Sequence, residues 1–269
     1  MRHTVLALII LLTGLGSYTP NPVPVSRHKF IVIAHRGDHV IYPENSLEAY
    51  REAIKNEADY IEIDLRTTKD SQLVSMHDGT VNRMTNAKGA VSSFTLNELK
   101  QLTLKNKDSI QTYHVPTFAE ILKLAKNKIN IYLDFKAADP AVAYKMIKEY
   151  GMEKQVLVYI NSPVQFTGWR KAAPKMPLML SLPDSVKSVY GMQKFIDTYQ
   201  PDLLDGGYSQ YTPALLANAA TLNLPVWPDI QSAGEGPADW DKALQKGLTG
   251  LQTDHPAALV KYLKEKRLR

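Results

Sequence analysis

The feature that most restricts the fold is a regular alternation beginning at Phe30. Short apolar runs, which read as strands, take turns with longer stretches of helical periodicity through to the C-terminus. The first run, Phe30-Ile31-Val32-Ile33-Ala34, has no polar residue on either face, as expected of a parallel strand covered on both sides. Further strands are expected at 60–65, 130–135, 156–160, 177–180, 203–205, 225–227 and 250–252. Helical patterns lie at 46–55, 117–126, 141–150, 165–173, 185–199, 213–222, 240–246 and 256–266. Asn45 reads as the cap of the first helix, and Thr117 with Glu120 as a capping box. About eight strand–helix units in roughly 240 residues is the count of a (β/α)₈ TIM barrel, an α/β fold. A doubly wound sheet is the fallback.

Two departures interrupt the alternation. After 60–65, Lys69-Asp70-Ser71 reads as a turn and 72–76 as a return strand, giving a hairpin. Residues 78–111 then read as a small insertion, with loops at Gly79, Asn86 and Gly89 and a short helix at 96–102. Nothing divides the rest, so 27–269 is expected to be a single barrel domain.

Residues 1–26 read differently. Arg2 and His3 precede an apolar run from Val5 to Leu15, followed by Gly16, Ser17 and then Pro20, Pro22 and Pro24. That order matches a signal peptide followed by a Pro-rich linker, with cleavage near Gly16 and a secreted or periplasmic product. The run is short for a transmembrane helix, although an uncleaved anchor is the other reading. There is no cysteine, which excludes disulfides, thiolate chemistry, cysteine-ligated zinc and a lipidated cysteine. The net charge of +5 over 269 residues suits an anionic small molecule. It is too evenly spread for nucleic acid.

Within 60–65, Ile61, Ile63 and Leu65 share one face while Glu62 and Asp64 share the other. Two carboxylates so placed repel, so that face is either half in water or holds a cation. In a barrel, reactive groups sit at the C-terminal strand ends. Those ends carry His35-Arg36-Gly37, then Glu62 and Asp64, His77-Asp78, Asp134 and Lys136, and finally Thr253-Asp254-His255-Pro256. Three carboxylates, Glu62, Asp64 and Asp134, suit a hard divalent cation; zinc is the weaker fit. Arg36 and Lys136 complement a phosphate, and His35 and His77 can exchange protons as base and acid.

These residues, with Pro43-Glu44-Asn45-Ser46, the run His77 to Thr85, Gly89 and Val115-Pro116-Thr117-Phe118, resemble the glycerophosphodiester phosphodiesterase family. The resemblance covers nearly all of the chain after residue 26. It implies a barrel with an insertion after the His-Asp motif, and one Ca²⁺ or Mg²⁺ held by Glu62, Asp64 and Asp134. It also implies catalysis by His35 and His77, substrate contacts from Arg36 and Lys136, and support from Glu44. The reaction implied is hydrolysis of a small-molecule glycerophosphodiester to an alcohol and glycerol 3-phosphate, with membrane contact only through substrate.

Three positions depart from the family's usual pattern. Asp134 stands where Glu is usual, Ser46 where Thr is commoner, and Pro228-Asp229 follows Trp227 in place of a Thr or Asn pattern. The last would border the substrate pocket and alter the choice of alcohol. Two alternatives remain. One is a lipid phosphodiesterase of the same barrel type, acting on phosphatidylinositol or a lysophospholipid, whose mark would be an apolar rim from Trp169, Trp227 and Tyr208. The other is a non-catalytic phosphate- or lipid-binding module, against which the retained His35, His77, Glu62 and Asp64 argue. His28, His39, His114 and His255 are expected to be structural or solvated, His39 being nearest to substrate. Gly206-Gly207 is either a close backbone approach to ligand or a plain turn.

Overall fold

The structure, a computed structural model, describes residues 18–106 and 111–269. Its strands are β1 Ile31–Ala34, β2 Tyr60–Thr67, β3 Leu73–Ser75, β4 Asn130–Ala137, β5 Val156–Ile160, β6 Leu178–Ser181, β7 Leu203–Asp205 and β8 Gly250–Thr253. All but β3 run parallel, in the order β7-β6-β5-β4-β2-β1-β8. β3 returns antiparallel along the end of β2, with Ser75 opposite Leu65.

Segment 225–230 fills the remaining gap between β7 and β8. Val226 bridges Leu204, and Asp229 bridges both Gly207 and Gln252. Leu204 N–H donates to Pro225 O at 2.8 Å and Gln252 N–H to Pro228 O at 3.1 Å. The strand expected at 225–227 is therefore a stave without a regular ladder. Pro225 and Pro228 lack the N–H groups that a ladder needs. With this stave the sheet closes as the expected eight-membered parallel barrel.

The helices are α1 Leu47–Lys55, α2 Leu96–Gln101, α3 Phe118–Ala125, α4 Pro140–Glu149, α5 Pro163–Ala172, α6 Val189–Tyr199, α7 Pro213–Thr221, α8 Pro237–Lys246 and α9 Pro256–Glu265. Thr117 and Glu120 form the expected capping box of α3. The cap of α1 is Ser46, whose hydroxyl accepts from Ala49 N–H, rather than Asn45. Asn45 sits in the left-handed region at φ +56° and its side chain is spent elsewhere. α2 and the loops around it enclose a small core of Val81, Val91, Leu99 and Leu104 against Val74 and Met76, so the insertion packs on the hairpin.

Strand parity separates two layers. Ile61, Ile63, Leu65, Ile131, Leu133 and Phe135 face outward into the helices, where Phe135 meets Trp169 edge-on at 5.2 Å. Ile31, Ile33, Tyr60, Tyr132, Leu157, Met179, Leu203 and Trp227 face inward and fill the barrel floor. A Cβ on Gly250 would lie 2.5 Å from the Trp227 indole, so only glycine admits that ring. Two residues further along the strands, the same inward parity delivers His35, Glu62, Asp134, Tyr159, Asp205, Asp229 and Gln252.

Residues 18–26, expected to lie outside the fold, instead cross beneath this floor. Tyr18 OH donates to Pro201 O, and Asn21 N–H donates to Asp202 Oδ1 at 2.6 Å. Tyr60 OH and Asn130 Nδ2 donate to Pro24 O and Val25 O at 2.7 and 3.0 Å. Buried donors at two strand starts thus find their acceptors in an extended proline-rich segment, which has backbone carbonyls to spare. The apolar run 5–15 lies outside the described residues. Among the described residues no helix is long and apolar enough to cross a membrane.

Candidate active site

A cavity of about 200 Å³ opens at the C-terminal ends of the strands, lined on one side by His35, Arg36, Glu62, His77, Asp134 and Lys136. All of these come from the sequence-predicted set. β2 and β4 pair so that Asp64 stands opposite Asp134. One oxygen from each of Glu62, Asp64 and Asp134 lies within 4.8 Å of the other two. The shorter Asp134 therefore joins its partners, because strand register places it. Asn161 Nδ2 holds its Oδ1 at 2.7 Å.

The electrostatics follow from crowding. Burial, then the charges of Asp64 and Asp134, push Glu62 well above the ordinary carboxylate range. Burial and Asp64 also raise Asp134. Lys136 Nζ lies 2.5 Å from Asp134 Oδ2 and 3.3 Å from Asp64 Oδ1. Burial pulls its ammonium down, but Asp134 and Asp64 outweigh that and raise it. Arg36, in the left-handed region at φ +54°, turns its N–H onto Glu62 Oε2 at 2.7 Å. Its guanidinium reaches Glu44 at 3.1 Å and Asp64 at 3.6 Å. The sharp turn needs Gly37, where a Cβ would meet the Ala49 backbone at 2.8 Å. Asn45 donates to Asp64 Oδ2 at 2.7 Å and accepts from Tyr50 and Ser75. It orients a triad carboxylate, which explains why it does not cap α1.

Each histidine is backed by a carboxylate. His35 Nδ1 lies 2.7 Å from Asp254 Oδ1, and His39 Nε2 lies 3.5 Å from the same oxygen. Burial raises Asp254, but the hydrogen bond and charge of His35, then His39, leave it below its usual range. His77 Nδ1 lies 2.9 Å from Asp78 Oδ1. Hydrogen bonding to Arg83 holds Asp78 far down. With Nδ1 committed in both rings, Nε2 is the nitrogen left for a ligand. His35 is the more enclosed ring, its side chain 15% exposed against 34% for His77.

Glu44 supports the site from outside the cavity. Arg83, from the insertion, donates to both Glu44 oxygens at 2.7 and 2.8 Å and to Asp78 at 2.9 Å. Burial works against the charge on Glu44, but Arg83 and Arg36 outweigh it and lower its pKa.

The opposite side of the cavity is lined by Tyr132, Tyr159, Asp205, Asp229 and Gln252; Asp229 belongs to the Pro228-Asp229 departure expected to border the pocket, and the other four were not singled out in the sequence. Tyr132 OH donates to Asp205 Oδ2 at 3.1 Å and Gln252 Nε2 to Asp229 Oδ1 at 2.5 Å. Burial, then Asp229, drives Asp205 well above the carboxylate range, and burial raises Asp229. The signal that would have found them is parity. Tyr132 is itself a floor residue, and the others follow an inward position by two: Leu157 to Tyr159, Leu203 to Asp205, Trp227 to Asp229 and Gly250 to Gln252.

The remaining expectations resolve plainly. Trp169 and Trp227 are buried in the barrel layers, and Tyr208 stacks under Lys246 Nζ at 5.5 Å. They form no apolar rim. His28 pairs with Asp59 at the floor, His114 with Leu102 O and His255 with Ala233 O. His39 Nδ1 lies 2.9 Å from His35 O. A Cβ on Gly206, at φ +122°, would meet Gln210 Oε1 at 2.8 Å, and Gly207 bridges Asp229, so the two glycines continue β7 alongside the stave rather than forming a plain turn.

Residues 35–258 match the model of the glycerophosphoryl diester phosphodiesterase family. A glycerophosphodiester phosphodiesterase of Caldanaerobacter subterraneus is 29% identical over 88% of this chain and 99% of that protein. Among solved structures, a glycerophosphodiester phosphodiesterase from Agrobacterium tumefaciens superposes with a TM-score of 0.77 at 23% identity, covering 86% of this chain and 99% of that one. A phosphodiesterase of Oleispira antarctica, solved with the product sn-glycerol-3-phosphate, gives a TM-score of 0.75 at 18% identity over 87% and 96% of the two chains.

Proposed function

The chain belongs to the glycerophosphoryl diester phosphodiesterase family, and from that premise we propose cation-assisted hydrolysis of a glycerophosphodiester to glycerol 3-phosphate and an alcohol, with His35 and His77 moving the protons. The observation that carries this reading is the convergence of three clustered carboxylates and two carboxylate-backed histidines on one cavity.

The triad fits a hard divalent cation, calcium or magnesium. Its donors are all carboxylate oxygens, and buried Asp64 Oδ1 has the Lys136 ammonium at 3.3 Å but no well-formed hydrogen bond. When bound by Glu62, Asp64 and Asp134, such an ion supplies positive charge that favours the developing phosphoryl oxyanion. Arg36 and Lys136 bind the phosphate and stabilise the same charge. His35, enclosed and held by Asp254, takes a proton from the attacking hydroxyl at its Nε2. His77, nearer to solvent, gives its Nε2 proton to the leaving oxygen as the P–O bond to the alcohol breaks. The oxygen that ends on phosphorus is water's, whether water attacks directly or opens a cyclic phosphate that a glycerol hydroxyl closed first, so one water is consumed per diester cleaved while solvent restores the protons on both rings. Glu44 and Arg83 keep Arg36 and the His77–Asp78 pair in place.

The deciding experiment assays the purified chain on glycerophosphodiesters and intact phospholipids after chelation, and again after adding calcium, magnesium or zinc. Turnover of the water-soluble diesters that requires added cation is expected. Full activity in excess chelator would overturn the cation's role. We also propose export directed by residues 1–16; N-terminal sequencing of protein recovered outside the cytoplasm should begin near Ser17.

A further inference from the structure

The two sides of the cavity differ in how their charge is balanced. Glu62, Asp64 and Asp134 have Arg36 and Lys136 beside them. One divalent cation and one diester phosphate would bring that side to neutrality. Asp205 and Asp229 accept hydrogen bonds from uncharged donors: Tyr132 and the Gly206 backbone N–H at Asp205, and Gln252 and, with its amide turned to face acceptors, Gln231 at Asp229. Two acceptor atoms on this side are also left over. Asp205, 2% exposed, has Oδ1 without a partner, and Gln252, 5% exposed, has Oε1 without one. The neighbouring hydroxyls are engaged, Tyr132 with Asp205 and Tyr159 with Ser181 at 2.8 Å. What this wall lacks is a group that both donates hydrogen bonds and carries positive charge.

Neutral hydroxyls would satisfy the open acceptors but leave the carboxylates unbalanced. A quaternary ammonium would balance charge but donate nothing. A primary ammonium does both. Resting on the phosphodiesterase reading above, we propose that Asp205, Asp229 and Gln252 form a specificity subsite for a protonated primary amine on the substrate's alcohol, as in an ethanolamine diester. The departure at Pro228-Asp229 supplies one of its two carboxylates, and the stave 225–230 carries it to the cavity because Asp229 is bridged on both sides.

The test uses the full chain with its activating cation and compares kcat/KM for five glycerophosphodiesters: those of ethanolamine, N-methylethanolamine, N,N-dimethylethanolamine, choline and glycerol. The amine series keeps the charge while removing N–H donors one at a time. The expected result is a fall of about tenfold or more from ethanolamine to choline, since losing the N–H donors strands the two buried acceptors. The glycerol diester should fall below ethanolamine by a similar factor. In Asp229→Asn the ethanolamine-to-glycerol ratio should drop by about tenfold. Equal efficiency on ethanolamine and choline diesters, or an unchanged ratio in a folded Asp229→Asn, overturns the subsite while leaving the phosphodiesterase reading intact. Should that variant fail to fold, the amine series on the unaltered protein decides alone. Turnover of none of the five overturns the reading itself, and the subsite with it.

Discussion

On the β2–β4 side of the cavity, carboxylates and cations alternate closely: Glu62, Asp64 and Asp134 against Arg36 and Lys136. On the β7–β8 side, Asp205 and Asp229 meet tyrosine and glutamine. Both sides arise from one geometric rule, the inward parity of strands above an apolar floor. What differs is the neighbour that each register provides. Asp64 faces Asp134 and lies beside Lys136, whereas Asp229 is bridged by Gly207 and Gln252, which bring no charge. In the function proposed above, the first side would act on the phosphate and the second would recognise what the phosphate carries.

Removing the proton carriers tests the division most severely. His35→Ala and His77→Ala should each reduce kcat by about 10²-fold or more on every diester alike, leaving substrate ranking unchanged. Near-normal turnover in both single variants would erase the assignment. Next in size is the support of the triad: Asn161→Ala frees Asp134 and should raise the cation concentration for half-maximal activity by about tenfold. An unchanged cation titration would mean that Asp134 is held by register alone. Arg83→Met should have a smaller effect, a drop of several-fold in kcat of roughly the size that outer-shell changes produce. It loosens Glu44 and the His77–Asp78 pair without touching substrate. A loss confined to one diester would place Arg83 in recognition instead.

The smallest effect is on stability. Burial raises Glu62, Asp134, Asp205 and Asp229 in the folded state, so the folded chain holds protons that the unfolded chain releases. Above about pH 4, stability should therefore fall as pH rises through the raised values. Asp78, Glu44 and Asp254 are lowered; their contribution is present above about pH 4 and lost only below it. In chelator, the Tm should decline between about pH 5 and pH 8. Saturating cation should cancel the triad's part of the slope, and Asp229→Asn should reduce the rest. A flat Tm in chelator would contradict the crowding described for both sides.

Much of this was legible in the sequence because strands and caps are local. The apolar runs and the Thr117–Glu120 box located barrel units within a few residues, and parity put Glu62 and Asp64 on one face. Pairings across the barrel were not legible. That Asn161 holds Asp134, that Asp254 backs His35 and that Asn45 serves Asp64 instead of capping α1 depend on register between distant segments. The stave at 225–230 was weakened as a strand signal by its prolines, so Asp229 read as a loop residue bordering the pocket rather than as a strand position bridged on both sides.

The segment crossing beneath the floor has an orientational consequence. Tyr18 is fastened beside Pro201, just ahead of β7, and Arg269 is fastened to Asp59, just ahead of β2. Both described ends of the chain thus emerge at the pole opposite the catalytic mouth. If residues before Tyr18 were ever held in a bilayer, the enzyme would stand with its opening turned to the aqueous side. It would then sample diesters arriving by diffusion rather than lipids in the surface to which it was tethered.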